Sequence, residues 1–161
     1  MISSHLFEAY LECPTKCWLR AQNEPATGNV YAEWMRAQIE TYRTEWVERR
    51  LAIAGEADRT PWTTFEINHE QAASRFAIDM RVHADDLECQ IPAVERVQSE
   101  ERGRRVQFIP YRFEVLNKLT KQHKLMAAFN AVVLSEAIGR DIRLAKIIHG
   151  DRSATLNVTQ E

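Results

Sequence analysis

This sequence has little that would assign it to a specialised class of protein. It has three cysteines, an odd number, and its first residues lack the basic segment and apolar stretch of an export signal, so we expect reduced thiols, not a disulfide framework. No apolar run approaches the length of a membrane span. The net charge of -2 excludes a strongly basic tail but not a local basic groove. We therefore expect a cytoplasmic protein with no membrane contact.

The composition, 45% hydrophobic and 27% charged, is that of an ordinary globular domain. A chain of 161 residues is long enough to form one domain that buries roughly two-thirds of its unfolded surface. The sequence shows no internal repeat and no low-complexity segment. It stops soon after the strand-like run TLNV, so we expect either a small whole protein or a piece of a longer one, with residues 1–161 as a single domain.

Apolar spacing predicts three helices in the first third of the chain. Two short ones, over 4–12 and 14–21, are separated by a bend at Cys13, because Pro14 breaks a helix but is tolerated in a first turn. A long helix is predicted from Val30 to Ala54. Its apolar face comprises Met35, Ile39, Tyr42 and Trp46, widened by Tyr31, Trp34 and Val47.

The chain then changes to short runs rich in Val, Ile, Phe and Thr, which are typical of strands. These runs are 60–67, 75–89, 91–98 and 104–115, with the charged turn SEERGRR before the last. A helix from Lys121 to Ile138 stops at Gly139, and the strands LAKIIHG and ATLNV follow. This order predicts an α/β or α+β fold, with N-terminal helices and a central mixed sheet of four to five strands flanked by helices.

Three segments of the chain carry a resemblance to a known family. The first is SSHLFEAYLECPTKCWLR, in which a helix runs into a Cys-Pro step with a basic and aromatic tail. The others are FIPYRFEVLNKLTKQHKLMAAFNAVVLSEAIG and KIIHGD. These segments resemble RecB-like nucleases of the PD-(D/E)XK superfamily, most closely the RecB-family nucleases related to the CRISPR-associated exonucleases. The resemblance implies a restriction-endonuclease-like core, in which a long helix precedes three or four strands and a helix and another strand follow.

The resemblance also implies a Mg²⁺- or Mn²⁺-dependent DNA exonuclease, with protein partners in a DNA-processing or defence complex. In such sites acidic residues on two adjacent strands hold the metal, which activates water and neutralises the scissile phosphate. The first acidic position falls on Asp85, with Asp86 as the alternative register, and only one of the two can face a metal because successive strand residues point to opposite faces. His83 lies two residues before Asp85 and is a further candidate ligand.

The second acidic position is where the sequence departs from the family pattern. Aligned on Pro110, the family's Glu-X-Lys falls on Arg112, Phe113 and Glu114. Arg112 thus occupies the family's acidic position, and Glu114 occupies the position of the family's lysine. A guanidinium beside the site would repel a metal cation.

Two interpretations of this departure remain open. In an active nuclease, Glu114 supplies the carboxylate, because residues two apart on a strand point to the same face, and Asp85 completes the metal site. The positive charge then comes from Lys118, Lys121 or Lys124, with Lys118 as the catalytic candidate. In a degenerate nuclease fold, the domain binds DNA or a protein partner without cutting. Arg112 then either contacts a phosphate, as Lys121 and Lys124 do, or pairs with Asp85.

The resemblance suggests roles for a few other residues. Iron–sulfur members of this group bind a [4Fe–4S] cluster through one cysteine near the N-terminus and three near the C-terminus. Cys13 matches the first and Cys17 follows four residues on, but a cluster needs further cysteines from outside this chain, and core thiols are the alternative. Glu33 is a candidate for an additional acid before the sheet, or a solvated glutamate. His149 is a candidate for the same cleft, or a structural histidine.

Overall fold

The computed structural model describes residues 1–24, 28–53, 75–97 and 106–158. These residues contain four helices, α1 (Ser4–Glu12), α2 (Pro14–Ala21), α3 (Val30–Ile53) and α4 (Lys121–Ile138). They also contain six strands, β1 (Ile2–Ser3), β2 (Phe76–Ala84), β3 (Leu87–Val97), β4 (Gln107–Glu114), β5 (Leu144–His149) and β6 (Arg152–Asn157). The predicted helices are confirmed. The predicted strand 60–67 and the turn SEERGRR lie outside the described residues.

The strands form one mixed sheet. β2 pairs antiparallel with one edge of β3 along most of its length, while β1 and β4 pair with different parts of the other edge. β4 then pairs parallel with β5, and β5 antiparallel with β6. In the described residues the sheet has six strands and not the four to five expected, because β1 is too short to give a periodic signal. α4 makes the crossover that a parallel pair requires.

The turn between β2 and β3 corrects a prediction. The run 75–89 was expected as one strand, but β2 ends at Ala84 and β3 begins at Leu87, which leaves Asp85 and Asp86 as a two-residue hairpin turn. Asp85 has φ of 46°; aspartate tolerates this left-handed region and is common in tight turns. The assignment of Asp85 and Asp86 to strand positions is therefore wrong. The sequence Asp-Asp lacks the glycine that usually marks such a turn.

In both β2 and β3, the alternation of side chains between the two faces of the sheet is interrupted at one point. The register passes from Met80–Ile91 to Ile78–Ala93 without pairing the residues between them, Asp79 and Pro92. Asp79 has φ of 55°, and Pro92 has no N–H to donate to the ladder. Arg43 of α3 forms an ion pair with Asp79 and holds this irregular step against the helix.

Helices cover both faces of the sheet. On one face α4 buries Val133 and Leu134 against a core that includes Val82, Ile91 and Ile147. α1 packs beside α4 through Phe7, whose ring stacks on Phe129 at 4.7 Å between centroids. Phe129 of α4 is therefore packed against α1.

α3 covers the opposite face with only part of its predicted stripe. Ile39, Tyr42 and Trp46 pack against strand residues that include Ile109 and Phe113. Tyr31 and Trp34, which were predicted to widen the stripe, are instead 66% and 54% exposed. No helix in the described ranges combines the length and apolar character needed to cross a bilayer.

Candidate functional site

The C-terminal half of β4 carries polar side chains on both faces of the sheet. Tyr111 belongs to the face that α3 covers, where it packs with Phe113 and Ile148. Because successive strand residues alternate, Arg112 and Glu114 point to the face covered by α1 and α4. β4 pairs with β3 only as far as Tyr111, so Arg112 and Glu114 lie where the two strands have separated.

On the α1 side, Arg112 lies between two carboxylates. Its Nε donates to Oε1 of Glu114 at 2.7 Å, and its Nη2 donates to Oε1 of Glu8 at 3.2 Å. The side chain of Glu114 is 7% exposed and that of Arg112 is 20% exposed. With His123 of α4, these residues form what we call the Arg112 cluster: Glu8, Arg112, Glu114 and His123.

The position of His123 follows from the start of α4. Thr120 caps the helix by accepting from the His123 backbone N–H, and the Thr120 backbone N–H donates to Nδ1 of His123, both at 3.3 Å. Nδ1 therefore accepts, which places the proton of the neutral ring on Nε2. Nε2 lies 3.8 Å from Oε2 of Glu114. The capping box thus orients this imidazole towards the carboxylate.

His149 is the neighbour of Glu114 on the adjacent strand, but its side chain has a structural role. It stands opposite Glu114 in the β4–β5 register and is buried. Its Nδ1 donates to the carbonyl of Asn117 at 3.2 Å, since a carbonyl can only accept. The bond ties the end of β5 to the loop before α4, which agrees with the structural alternative for this histidine.

The described residues do not fit the divalent cation that the resemblance implies. No group of three His, Cys, Asp or Glu side chains suited to a metal ion occurs in the part of the chain that the structure describes. At Glu114 the charge of the carboxylate is already compensated by the Arg112 guanidinium. The suggested pairing of Arg112 with Asp85 is wrong, because its carboxylate partners are Glu8 and Glu114.

The other predicted metal ligands lie at the β2–β3 turn. Asp85 and Asp86 are exposed, and the backbone carbonyl of Asp86 accepts from the N–H of Ile2 at 2.5 Å. His83 is exposed and its Nε2 lies 3.8 Å from Oε1 of Glu88. None of these side chains forms a hydrogen bond or ion pair with the Arg112 cluster, so the structure does not assemble Asp85 and Glu114 into one described site.

The predicted basic residues gather around the start of α4. Lys118 lies in the loop before the helix, while Lys121 and Lys124 lie in its first turn, and all three are exposed. The N-terminus of a helix adds partial positive charge to such a surface. We call this the α4 basic surface: Lys118, Lys121 and Lys124. It adjoins the Arg112 cluster, because His123 belongs to the same helical turn.

A second polar cluster, on the α3 face, was missed from the sequence. Glu95 of β3 is 4% exposed and accepts from the Tyr111 hydroxyl at 2.5 Å, from Lys146 Nζ at 3.3 Å and from Arg75 Nη2 at 2.7 Å. We call this the Glu95 cluster: Arg75, Glu95, Tyr111 and Lys146. It joins β3, β4 and β5 beneath Trp46, whose ring lies 5.1 Å from that of Tyr111.

The groups around Glu95 favour the ionised form of its carboxyl group. Burial opposes ionisation of Glu95, but the hydrogen bonds from Tyr111 and Arg75 and the nearby Lys146 ammonium outweigh it, so the pKa of this carboxyl lies below its ordinary value. Burial and the bond to Glu95 raise the pKa of Tyr111. A signal existed in the sequence, since glutamate within IPAVERV and lysine within LAKIIH are charged residues in apolar strands, and such residues are buried only when paired.

The three cysteines are free thiols in different environments. Cys89 is a core residue, 1% exposed, and burial raises its thiol pKa to about 12. Cys13 is exposed at the start of α2, where hydrogen bonds from the backbone of Lys16 and Thr15 lower its thiol pKa. Cys17 is half-buried. The core interpretation therefore holds for Cys89 but not for Cys13, and the cluster-ligand assignment of Cys13 and Cys17 stays a prediction.

Glu33, the candidate for an additional acid, lies exposed in the first turn of α3 and forms no hydrogen bond or ion pair with the Arg112 cluster. The geometry thus concentrates the candidate site at the end of β4 and the start of α4. Compared with models of known protein families and with curated proteins, the chain gives no match to either.

Proposed function

We propose that the chain is a domain of the RecB-like nuclease fold that binds DNA and does not cleave it at the Arg112 cluster. The observation that carries this proposal is the ion pair between Arg112 Nε and Glu114 Oε1 at 2.7 Å. A guanidinium occupies the surroundings of the carboxylate to which the resemblance assigns a metal ion.

The fold part of the proposal is supported by the order of elements. The long helix α3 precedes the antiparallel strands β2, β3 and β4, and α4 then leads to β5, which is parallel to β4. This is the order that the resemblance implies for a restriction-endonuclease-like core. The order is shared by cleaving and non-cleaving versions of such a fold, so the choice between them depends on the side chains.

The side chains favour binding over cleavage. A divalent cation at Glu114 would have to displace Arg112, whose positive charge sits in a partly buried position between two carboxylates. Removing a paired guanidinium from such a position is costly, because it leaves the carboxylates uncompensated until the metal binds. Asp85, the other proposed ligand, belongs to an exposed turn.

The α4 basic surface supports DNA as the ligand. Lys118, Lys121 and Lys124 are exposed, and none of their ammonium groups forms a hydrogen bond or ion pair within the described residues. Exposed lysines at a helix start suit phosphate oxygens, which set affinity and register without reading sequence. Binding of this kind weakens as salt rises, because each phosphate contact releases counterions.

Two assays test the proposal together. In fluorescence anisotropy with labelled single-stranded and duplex DNA, we expect salt-dependent binding that Lys121→Glu/Lys124→Glu weakens by roughly tenfold or more. Arg49→Glu, on the exposed side of α3, is a single charge-reversal control and should have a much smaller effect. Binding that is equal in all three proteins would overturn the assignment of the α4 basic surface.

In the second assay, the parent protein and Glu114→Gln are incubated with the same DNA in Mg²⁺ and in Mn²⁺. We expect both to leave the DNA intact. Cleavage by the parent that Glu114→Gln and Asp85→Ala each abolish would instead establish the alternative, a metal-dependent exonuclease that uses Asp85, Glu114 and Lys118.

A further inference from the structure

β6 forms one end of the described sheet. It is the last strand in the strand order and, among the described residues, pairs only with β5. The register between the two strands is unbroken over all six residues of β6. The N–H of Val158 continues this register by donating to the Arg143 carbonyl at 2.7 Å. β6 is therefore a regular strand whose outer edge has no partner strand in the part of the chain that the structure describes.

The alternation of backbone hydrogen bonds decides which residues of β6 face the outer edge. In an antiparallel pair, a residue that bonds to the partner strand alternates with one whose N–H and C=O point away from it. Val158 bonds to the residue that precedes β5, so the even-numbered residues of β6 face β5. Ser153, Thr155 and Asn157 therefore present their N–H and C=O groups to the outer edge, and all three are exposed.

β6 lacks the features that usually prevent an edge strand from pairing with another chain. Such edges are interrupted by a bulge or a proline, or they carry charged side chains. β2, at the opposite end of the described sheet, has an irregular step at Asp79 and the exposed charge of Arg81. β6 has a charge only at Arg152, and the residues that follow, SATLN, are uncharged and contain no proline. This edge can therefore accept another extended strand.

We propose that β6 pairs antiparallel with β6 of a second copy of the chain, about a two-fold axis at Thr155. In this register Thr155 lies opposite its counterpart, and Ser153 lies opposite Asn157 of the second copy. Every edge-facing residue of β6 then belongs to a hydrogen-bonded pair, which gives about six backbone hydrogen bonds across the axis. The two sheets continue as one, and the pairing does not depend on DNA binding.

The side chains of β6 favour a second copy as the occupant of this edge. Arg152 lies opposite Val158 in the proposed register, so no like charges oppose each other. The two Thr155 hydroxyls are neighbours, and cross-strand threonine pairs of this kind stabilise a sheet. On the α4 face, Ala154 lies opposite Leu156, which already packs at the margin of the core, so pairing extends its apolar contacts. A net charge of -2 gives little repulsion between copies.

Sedimentation equilibrium of the full chain over a range of concentrations tests the inference. We expect the parent to form a dimer. Thr155→Pro removes the outward N–H at the axis from both copies but no bond to β5, and it should raise the dimer dissociation constant by roughly 10- to 100-fold. Thr155→Val keeps the backbone N–H and the branched shape, so it is the matched control and should remain dimeric. Circular dichroism checks that both variants are folded.

Charged variants at the same position test the register. Thr155→Lys and Thr155→Glu each place like charges opposite each other at the axis, so each should self-associate more weakly than the parent. An equimolar mixture of the two should associate more tightly than either variant alone, because opposite charges then meet. Gln38→Lys, at an exposed position of α3, adds the same charge elsewhere and should leave the dimer unchanged.

Three results would overturn the inference. A parent that stays monomeric at every concentration would leave the edge of β6 to a strand from another protein. A dimer that persists equally in Thr155→Pro, Thr155→Lys and Thr155→Glu would place the interface elsewhere on the chain. A mixture of Thr155→Lys and Thr155→Glu that associates no more tightly than either variant alone would contradict the two-fold register at Thr155.

Discussion

Arg112 and Glu114 lie two residues apart on β4, point to the same face of the sheet, and are joined by a bond of 2.7 Å from Nε to Oε1. Glu8 binds the other side of the guanidinium. Two carboxylates therefore share one positive charge in a partly buried place, where a metal ion was the expected counter-charge. This relationship supports the proposal of a domain that binds without cleaving, and it gives the first two predictions.

Arg112→Ala should reduce the free energy of unfolding by about 2–3 kcal/mol, because it leaves two carboxylates without their charged donor. Urea denaturation at neutral pH measures the change. Glu114→Gln in the Arg112→Ala background should recover part of the loss, since it removes one of the two uncompensated charges. A single variant as stable as the parent would show that the ion pair contributes little to the fold.

Arg112→Ala should also acquire a response to Mn²⁺ that the parent lacks. With the guanidinium gone, Glu8 and Glu114 present oxygen ligands of the kind that hard divalent cations prefer. We expect Mn²⁺ to raise the Tm of Arg112→Ala, because a ligand that binds only the folded state stabilises it. Arg112→Ala/Glu114→Gln is the control and should respond less. An equal rise of Tm in the parent would mean that the native cluster already accepts a cation.

Trp46→Ala should destabilise the protein by about 3–4 kcal/mol, the usual cost of truncating a large packed aromatic. Trp46 of α3 lies 5.1 Å from the ring of Tyr111 and 5.2 Å from that of Phe113, so it fixes the helix on the sheet. Trp34→Ala, the same substitution at an exposed position of the same helix, should change stability by less than about 0.5 kcal/mol. Equal effects in urea denaturation would contradict this packing of α3.

Glu95 makes stability depend on acid pH. Because the pKa of this carboxyl is lowered in the folded state, its contribution is fully present above the unfolded-state pKa, about 4.3, and is lost as pH falls through the folded-state pKa. Glu95→Gln should cost about 1–3 kcal/mol at neutral pH and should lose less stability than the parent on acidification. Parallel pH profiles of the two proteins in urea denaturation would contradict this role.

Gly139 and Gly150 both have a left-handed backbone conformation, but substitution by alanine should destabilise the protein to different extents. Gly139 ends α4 with φ of 61°, and among the described residues an added Cβ would meet no neighbouring atom within 4 Å beyond the adjoining chain, so Gly139→Ala should cost only the backbone strain, about 1–2 kcal/mol. At Gly150, with φ of 51°, an added Cβ would clash with Asn117 Oδ1. Gly150→Ala should therefore cost more, unless the Asn117 side chain rotates away. Thermal denaturation of both variants gives the comparison.

Most helices and several strands of the described fold follow from local signals. Pro14 and Gly139 mark helix ends because proline starts a helix turn and glycine tolerates a left-handed end, and both positions agree with the structure. The β2–β3 turn at Asp85 was missed because Asp-Asp can continue a strand or form a turn, and only pairing with β3 selects the turn. Two-residue β1 exists only because β3 offers it an edge.

The sequence by itself determined the order of helices and strands, and it placed Arg112 and Glu114 two residues apart on one strand. Only the tertiary structure decided which charged partners those residues have. It brought Glu8, over a hundred positions away in the chain, to the far side of Arg112, and it left Asp85 on an exposed turn. The physical reason is that residue spacing fixes which face a side chain points to, whereas its charge partner depends on which helix is packed against that face.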